Sequence, residues 1–201
     1  MLNLSRAAAH GGFTLVETMI AIVVMAIVVA LGMPAYREWI QNTQIRTAAE
    51  SALAGIQLAR AEALKRNTNV SFQLMTSMTA TCARSTTGKN WIVSVKDATG
   101  LCNVTNPATD PPLLIQAKPS GEGTKNVALS ASQSAITFSG LGQVTPAPTG
   151  TITLDITNPS VGGNCVVSGG KMRCLQIRVD SSGQIRMCDP AVSATNDPRK
   201  C

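Results

Sequence analysis

Gly11-Gly12-Phe13-Thr14-Leu15-Val16-Glu17 opens a run from Thr18 to Tyr36 that carries no charged residue. Ile20, Ile22, Val23, Val24, Ile27, Val28, Val29 and Leu31 crowd that run. A helix from Phe13 to Tyr36 reaches roughly 36 Å at about 1.5 Å per residue, enough to cross a hydrocarbon core of about 30 Å. A secretory signal has a shorter apolar core, with a small-residue cleavage site after it. Here the Gly-Phe junction precedes the apolar run, so a cut at that junction leaves the helix on the mature chain.

Glu17 is the anomaly in this helix. A carboxylate costs a few kcal/mol near the bilayer centre and less near the interface, and an intramembrane acid is a functional candidate by default. A cut after Gly12 gives Phe13 a free amine, which Glu17 of a neighbouring subunit could neutralise. The competing reading is a snorkelling acid at the helix start, favoured by the helix dipole.

The sequence Gly12-Phe13-Thr14-Leu15-Val16-Glu17 ahead of a spanning helix resembles the leader and N-terminal helix of type IV pilins and type II secretion pseudopilins. The resemblance implies a prepilin peptidase cutting between Gly12 and Phe13, N-methylation of Phe13, and use of Glu17 in subunit recognition during assembly. Pro34 sits where pilins usually carry a helix-kinking proline.

Residues 1 to 12 form a short leader with Arg6 as its one charged side chain. Positive charge ahead of a span favours cytoplasmic retention, so the remainder should lie outside. The sole histidine, His10, lies in the leader. Its loss excludes a His-dependent triad or a His metal site from the mature chain.

Beyond Pro34 the helix should continue, with a bend from the lost hydrogen bond. Tyr36 and Trp39 suit a membrane interface. Ile45, Ala49, Ala52, Leu53, Ile56, Ala59 and Ala63 recur at three- and four-residue steps, a stripe that should bury against a sheet. Gly55 weakens the helix by about 1 kcal/mol relative to Ala, consistent with close packing there.

Past Asn67 the texture changes to short β-rich runs: 70–75, 91–95, 113–116, 136–138, 151–156, 175–179 and 184–187. Residues 105–112, 144–150 and the glycine-rich 160–170 read as loops. The expected fold is α+β: residues 1–12 a cleaved leader, 13–36 a transmembrane helix, 37–67 its amphipathic continuation, and 68–201 a periplasmic, mostly antiparallel β domain.

Leu58-Ala59-Arg60-Ala61-Glu62-Ala63-Leu64-Lys65-Arg66-Asn67-Thr68-Asn69-Val70 resembles the helix-to-strand passage of the GspH/FimT group of minor pilins and pseudopilins. Ile136-Thr137-Phe138-Ser139-Gly140-Leu141-Gly142 and the stretch from Leu175 to Arg186 look like its later strand-turn motifs. The tail from Met187 to Cys201 resembles those of FimU- and FimT-type minor pilins more than those of secretion pseudopilins.

Cys82, Cys102, Cys165, Cys174, Cys188 and Cys201 all fall in the expected periplasmic part. An even count in an oxidising compartment argues for disulfides, and six cysteines allow about 15 pairings. The sequential set, Cys82 with Cys102, Cys165 with Cys174 and Cys188 with Cys201, is favoured because each pair closes a short loop. With no CxxC pair and no usable histidine, neither a metal site nor a catalytic cysteine is expected. No cofactor is expected either, since no phosphate-cradling glycine loop precedes a helix.

The formal charge is +6. From Cys165 onward Lys171, Arg173, Arg178, Arg186, Arg199 and Lys200 face Asp180, Asp189 and Asp197. A basic surface can bind nucleic acid through its phosphates, and a solvated face or subunit contact is the plainer reading. FimT-type minor pilins implied in DNA uptake carry a glycine-arginine-x-arginine motif near this position; here Gly183-Gln184-Ile185-Arg186 replaces the first arginine and keeps Arg186. Lys171, Arg178 and Arg186 are the candidate DNA contacts; of the rings outside the stalk, Trp91, Phe72 and Phe138, the two Phe sit in expected strands where core burial is the plainer reading, which leaves Trp91 open as a stacking platform.

The reading is a non-enzymatic minor pilin: cleaved, methylated, held in the inner membrane as a single pass, and then inserted into a surface pilus, where minor pilins of this group look like members of a priming tip complex. The resemblance implies as partners major and minor pilins through N-terminal helix packing, the prepilin peptidase, the inner-membrane assembly platform and, in the uptake subgroup, DNA. The alternatives are a GspH-like pseudopilin of a type II secretion system and a DNA-binding minor pilin for transformation.

Overall fold

The structure is a computed structural model that describes residues 12, 14–121, 126–159 and 164–201. The leader residues 1–11 and Phe13, the residue expected to be methylated, lie outside the described residues, as do 160–163 of the glycine-rich loop. The chain divides into two compact units, Met1–Glu38 and Trp39–Cys201.

One helix, α1, runs over Leu15–Arg66. Thr14 starts it: its Oγ1 accepts a hydrogen bond from the Glu17 main-chain N–H at 3.2 Å, the N-cap interaction of an S/T-x-x-E start. Glu17 therefore stands in the first turn, where the helix dipole favours an acid. Pro34 lies inside the helix, which continues through it. All described residues up to Arg37 are exposed.

The C-terminal end is closed by Asn67, whose φ of 49° is left-handed. Thr68 N–H donates to Ala63 O and Asn67 N–H to Leu64 O, the paired bonds of a Schellman motif. That turn reverses the chain into the first strand.

Among the described residues there are nine strands: β1 (Val70–Met75), β2 (Thr87–Gly88), β3 (Asn90–Ser94), β4 (Leu114–Lys118), β5 (Ala128–Ala131), β6 (Ala135–Phe138), β7 (Ile152–Thr157), β8 (Leu175–Val179) and β9 (Ile185–Cys188). They form two sheets, ordered β4-β3-β1-β6 and β2-β5-β7-β8-β9. All strand pairs are antiparallel. The expected antiparallel β domain thus consists of two sheets, and β2 and β5 are additions to the seven runs read from sequence.

Both sheets and α1 share one core. Ile45, Ala48, Ala49, Ala52, Ile56, Ala59 and Ala63 pack in a single cluster with Phe72, Trp91 and Phe138 of the first sheet and Leu154, Ile156 and Ile177 of the second. Leu53, expected in the stripe, is only partly buried at its edge. The helix side of this interface is mostly alanine, which lets the strands approach closely.

Gly55 shows how closely. A Cβ there would lie 2.7 Å from Cζ3 of Trp91 and 3.1 Å from Cε2 of Phe72, so the glycine is where two rings, 5.3 Å apart between centroids, press on the helix. Period-two alternation then orients the strands. In β7, Ile152, Leu154 and Ile156 are buried while Thr153, Asp155 and Thr157 are partly exposed.

The two strand-turn motifs meet at the helix. Arg60 Nε donates to Gly142 O at 3.1 Å, and Gly183, at φ 82°, lies so near the Gly142 carbonyl that a Cβ would collide with it. Only glycine fits that position without strain.

Three disulfides join Cys82 to Cys102, Cys165 to Cys174 and Cys188 to Cys201, with Cα separations of 6.2, 5.4 and 5.1 Å. The first sits in a second, smaller cluster with Met75, Ile92 and Ala98, on the other face of the first sheet. There the buried Gln73 is fully engaged: Nε2 donates to Ser94 Oγ at 2.8 Å and to Lys96 O, and Oε1 accepts from Ala98 N–H.

Candidate functional site

The first candidate surface is the apolar half of α1. Leu15, Val16, Met19, Ile20, Ile22, Val23 and Val24 are each more than half exposed, and Leu31 is 77% exposed. In water such a stretch is strongly unfavourable at about 25 cal/mol per Å², so these residues need an apolar environment. Glu17 is the single acid on that surface. Gly12 is exposed. Its expected partner in the cleavage junction, Phe13, is outside the described residues.

The second surface is the solvent face of the second sheet. Arg178 and Arg186 are direct cross-strand partners, so their side chains share one face, and like charges placed opposite each other are mutually unfavourable. Arg178 is partly relieved by donating from Nη1 to the main-chain oxygen of Cys201 at 2.6 Å. Both line a shallow cavity of about 380 Å³ together with Thr151, Asp180 and Gln184, where Thr151 Oγ1 and Asp180 Oδ1 are 2.8 Å apart. Lys171 is exposed but does not line this cavity. Phe72, Trp91 and Phe138 are 2%, 3% and 0% exposed, so all three are core residues and none can stack on a base. For Trp91, left open as a platform by the sequence, burial against Gly55 is the physical reason.

The third feature was not singled out from sequence. Trp39, Asn42, Thr43 and Arg46 follow one another at three- and four-residue steps on α1 and form one wall of a cleft of about 450 Å³. Arg173, Leu175, Met187, Cys188, Asp189 and Arg199 form the rest. The basic groups around it are ordered by acids: Arg46 with Glu50 at 2.8 Å, Arg173 with Asp189 at 3.7 Å, and Arg199 with Asp197 at 2.7 Å. The Arg199 guanidinium holds the Asp197 carboxyl down to about 2. The sequence signal for this wall is a polar and aromatic face at helical spacing beside the alanine stripe; its other walls lie more than a hundred residues away and give no local cue.

A long helix, apolar over its first half and packed on antiparallel sheets over its second, is the type IV pilin fold. The family described as "Type II transport protein GspH" matches residues 48–183, and the prokaryotic N-terminal methylation motif matches residues 8–33. The chain therefore belongs to the GspH/FimT family of type IV minor pilins and pseudopilins.

Among solved structures, the type IV minor pilin FimU of Pseudomonas aeruginosa strain PAO1 is similar in two crystal forms. One superposes with a TM-score of 0.53 at 16% identity over 78% of this chain and 97% of FimU; the other gives 0.50 at 16% over 75% and 97%. The solution structure of E. coli GspH gives 0.46 at 15% identity over 80% and 97%. No curated protein matches the sequence.

Proposed function

We propose that the chain is a minor pilin, a non-catalytic subunit that is cleaved between Gly12 and Phe13, N-methylated at Phe13, held in the inner membrane by residues 13–36 with the β domain in the periplasm, and then assembled into a type IV pilus as part of a priming tip complex. The observation that carries this reading is the exposed apolar half of α1 with Glu17 as its only acid. Within a filament the apolar half packs on the helices of other pilins, and Glu17 sets register by pairing with the new amine of a neighbour. The prepilin peptidase and the assembly platform are the partners this route requires, and Pro34 gives the helix a bend for packing.

Glu17→Ala tests the charge pair. Cleavage at Gly12 persists while incorporation into filaments is lost; normal incorporation would discard the mechanism.

A GspH-like pseudopilin of a type II secretion system is supported by the match of residues 48–183 to the GspH family. Deleting the gene and assaying surface pili, twitching and exoprotein secretion in one strain separates the two. Lost pili with normal secretion supports the pilus, and the reverse supports secretion. DNA binding has weaker support: Arg178 and Arg186 face one way, but the aromatic rings sit in the core. A gel shift across a salt series, with Lys171, Arg178 and Arg186 replaced by alanine, tests it through the salt slope.

A further inference from the structure

The outer edge of β9 is covered at one end only, by the chain's own tail. In the β8–β9 hairpin Asp180 N–H donates to Gln184 O, and Gly183 N–H to Asp180 O. Arg178 then stands opposite Arg186, and Gln176 opposite Cys188. Antiparallel strands alternate between pairs that exchange both main-chain bonds and pairs that exchange none. The bond between Asp180 and Gln184 sets the phase. Arg186 and Cys188 therefore turn their N–H and C=O groups toward β8, while Ile185, Met187 and Asp189 turn theirs away.

Asp189 bears out that phase. Its N–H donates outward to Arg199 O at 2.7 Å, and Asp189 and Lys200 form a parallel bridge. The tail has thus begun a further strand on this edge. Upstream of Arg199 it turns off, because Lys200 N–H closes on Asp197 O at 3.0 Å and Pro198 has no N–H to give. Among the described residues no main-chain group outside β8 pairs with Ile185 or Met187, and β9 ends the strand order β2-β5-β7-β8-β9. The edge of the other sheet differs. β4 ends on Lys118 between Pro112 and Pro119, devices that keep an edge from pairing, whereas β9 contains no proline.

Two hollows against α1 flank the open stretch. Met187 lines the cleft of about 450 Å³ with Trp39 and Thr43, and Ile185 lines one of about 420 Å³ with Ala61 and Leu64. Ile185 and Met187 themselves pack on the core. Side chains of a strand laid on this edge would alternate between the hollows and the solvent face. On the solvent face their neighbour is Arg186, which is exposed, lies opposite Arg178 and makes no side-chain hydrogen bond or ion pair among the described residues. Asp180, the acid of the cavity the two arginines share, is engaged by Thr151. An acid beside Arg186 would relieve the opposition of like charges.

We propose that β9 accepts an extended segment of a neighbouring pilin or pseudopilin subunit as a sixth strand on its five-stranded sheet, with an acidic residue beside Arg186 and apolar residues on either side of it turned toward α1. Main-chain bonds supply the affinity of such an added strand, and pockets for alternate side chains its specificity. The partner's identity rests on the filament reading; the site does not.

The test uses the isotope-labelled full chain in detergent micelles, with amide exchange read residue by residue and a capped peptide of alternating valine and aspartate as the probe. Without peptide the Ile185 and Met187 amides should exchange fast and the Arg186 amide slowly. With peptide at about ten times its dissociation constant the first two should slow by about tenfold, and Arg186, already bonded to Arg178, should not change. Met187→Pro removes one outward N–H, which an edge strand tolerates, and should abolish the slowing at Ile185, whereas Met187→Ala keeps the N–H and preserves it. If the proline variant misfolds, Arg186→Glu on the exposed face serves, and should reverse the preference toward a valine-lysine peptide.

Slow exchange of Ile185 and Met187 without peptide, no slowing with it, or equal slowing of the parent by the valine-lysine peptide overturns the strand site and leaves the filament reading, which rests on the exposed half of α1. A photo-crosslinker at position 186 should join an extended segment of another pilin or pseudopilin in cells. Crosslinks to other proteins alone overturn the partner. Peptide protection in a strain where deletion spares both pili and secretion breaks the filament reading and supports the strand site.

Discussion

From Leu15 to Arg37 every residue of α1 is exposed, whereas between Ile45 and Ala63 the same helix buries Ile45, Ala48, Ala49, Ala52, Gly55, Ile56, Ala59 and Ala63. The exposed half is built from large branched residues and the buried half mainly from alanine and glycine. The contrast separates two packing problems. Large side chains suit an environment of lipid tails or other apolar helices, where area counts. Small ones suit a fixed sheet surface, where the helix must come within ring-contact distance of Phe72 and Trp91.

The sharpest way to break that contrast is to make one substitution in each half. Ile56→Ala should cost about 2–5 kcal/mol of unfolding free energy, since it opens a cavity at a fully buried site. Ile27→Ala, 56% exposed, should leave the denaturation midpoint of the β-rich unit unchanged. Equal effects in denaturant titrations would erase the distinction.

Next in size is the staple under the first sheet. Replacing Cys82 and Cys102 by serine removes a cross-link that closes a 20-residue separation and should cost about 3 kcal/mol. A midpoint insensitive to this change would place the Met75–Ile92 cluster outside the cooperative unit.

Gly55→Ala is smaller and tests the sign of an opposition. Helix propensity gains about 1 kcal/mol, while the added methyl meets two packed rings and overpacking costs about 1–3 kcal/mol. A net loss of about 1 kcal/mol is expected; a gain would mean that Trp91 moves aside freely.

The smallest effect concerns Asp197, whose carboxyl Arg199 holds at about 2 against an ordinary 3.8. Because the folded value is depressed, its stabilisation is complete above the ordinary value and is lost as pH falls through the folded one. Melting curves from pH 5 to pH 2 should show Asp197→Asn converging on the parent at the acid end. Its partner Arg199 is two-thirds exposed, so the difference at pH 5 is slight.

The helix, its stripe and seven of the strands were legible because periodicity and turn residues are local signals. β5, Ala128–Ala131, was not, since Ala-Leu-Ser-Ala lacks β-branched or aromatic residues, and the two-residue β2 is too short to show a pattern. The division into two sheets depends on which strands pair, which spacing does not encode. Arg178 and Arg186 were legible as basic residues, but their direct opposition comes from the β8–β9 register. The Trp39 cleft was hidden because its halves come from the helix and from the disulfide-bracketed tail, and only folding brings them together.

The three disulfides also set how the subunit answers to pulling. A force applied across the β-rich unit cannot draw out the segments enclosed by cross-links with separations of 20, 9 and 13 residues. Each locked residue withholds roughly 3.3–3.6 Å of contour length. Pulled from its two ends, the oxidised β-rich unit should yield a shorter extension than its reduced form, and the Cys188–Cys201 link would keep Arg199 and the tail beside β9 while the strands ahead of it come apart.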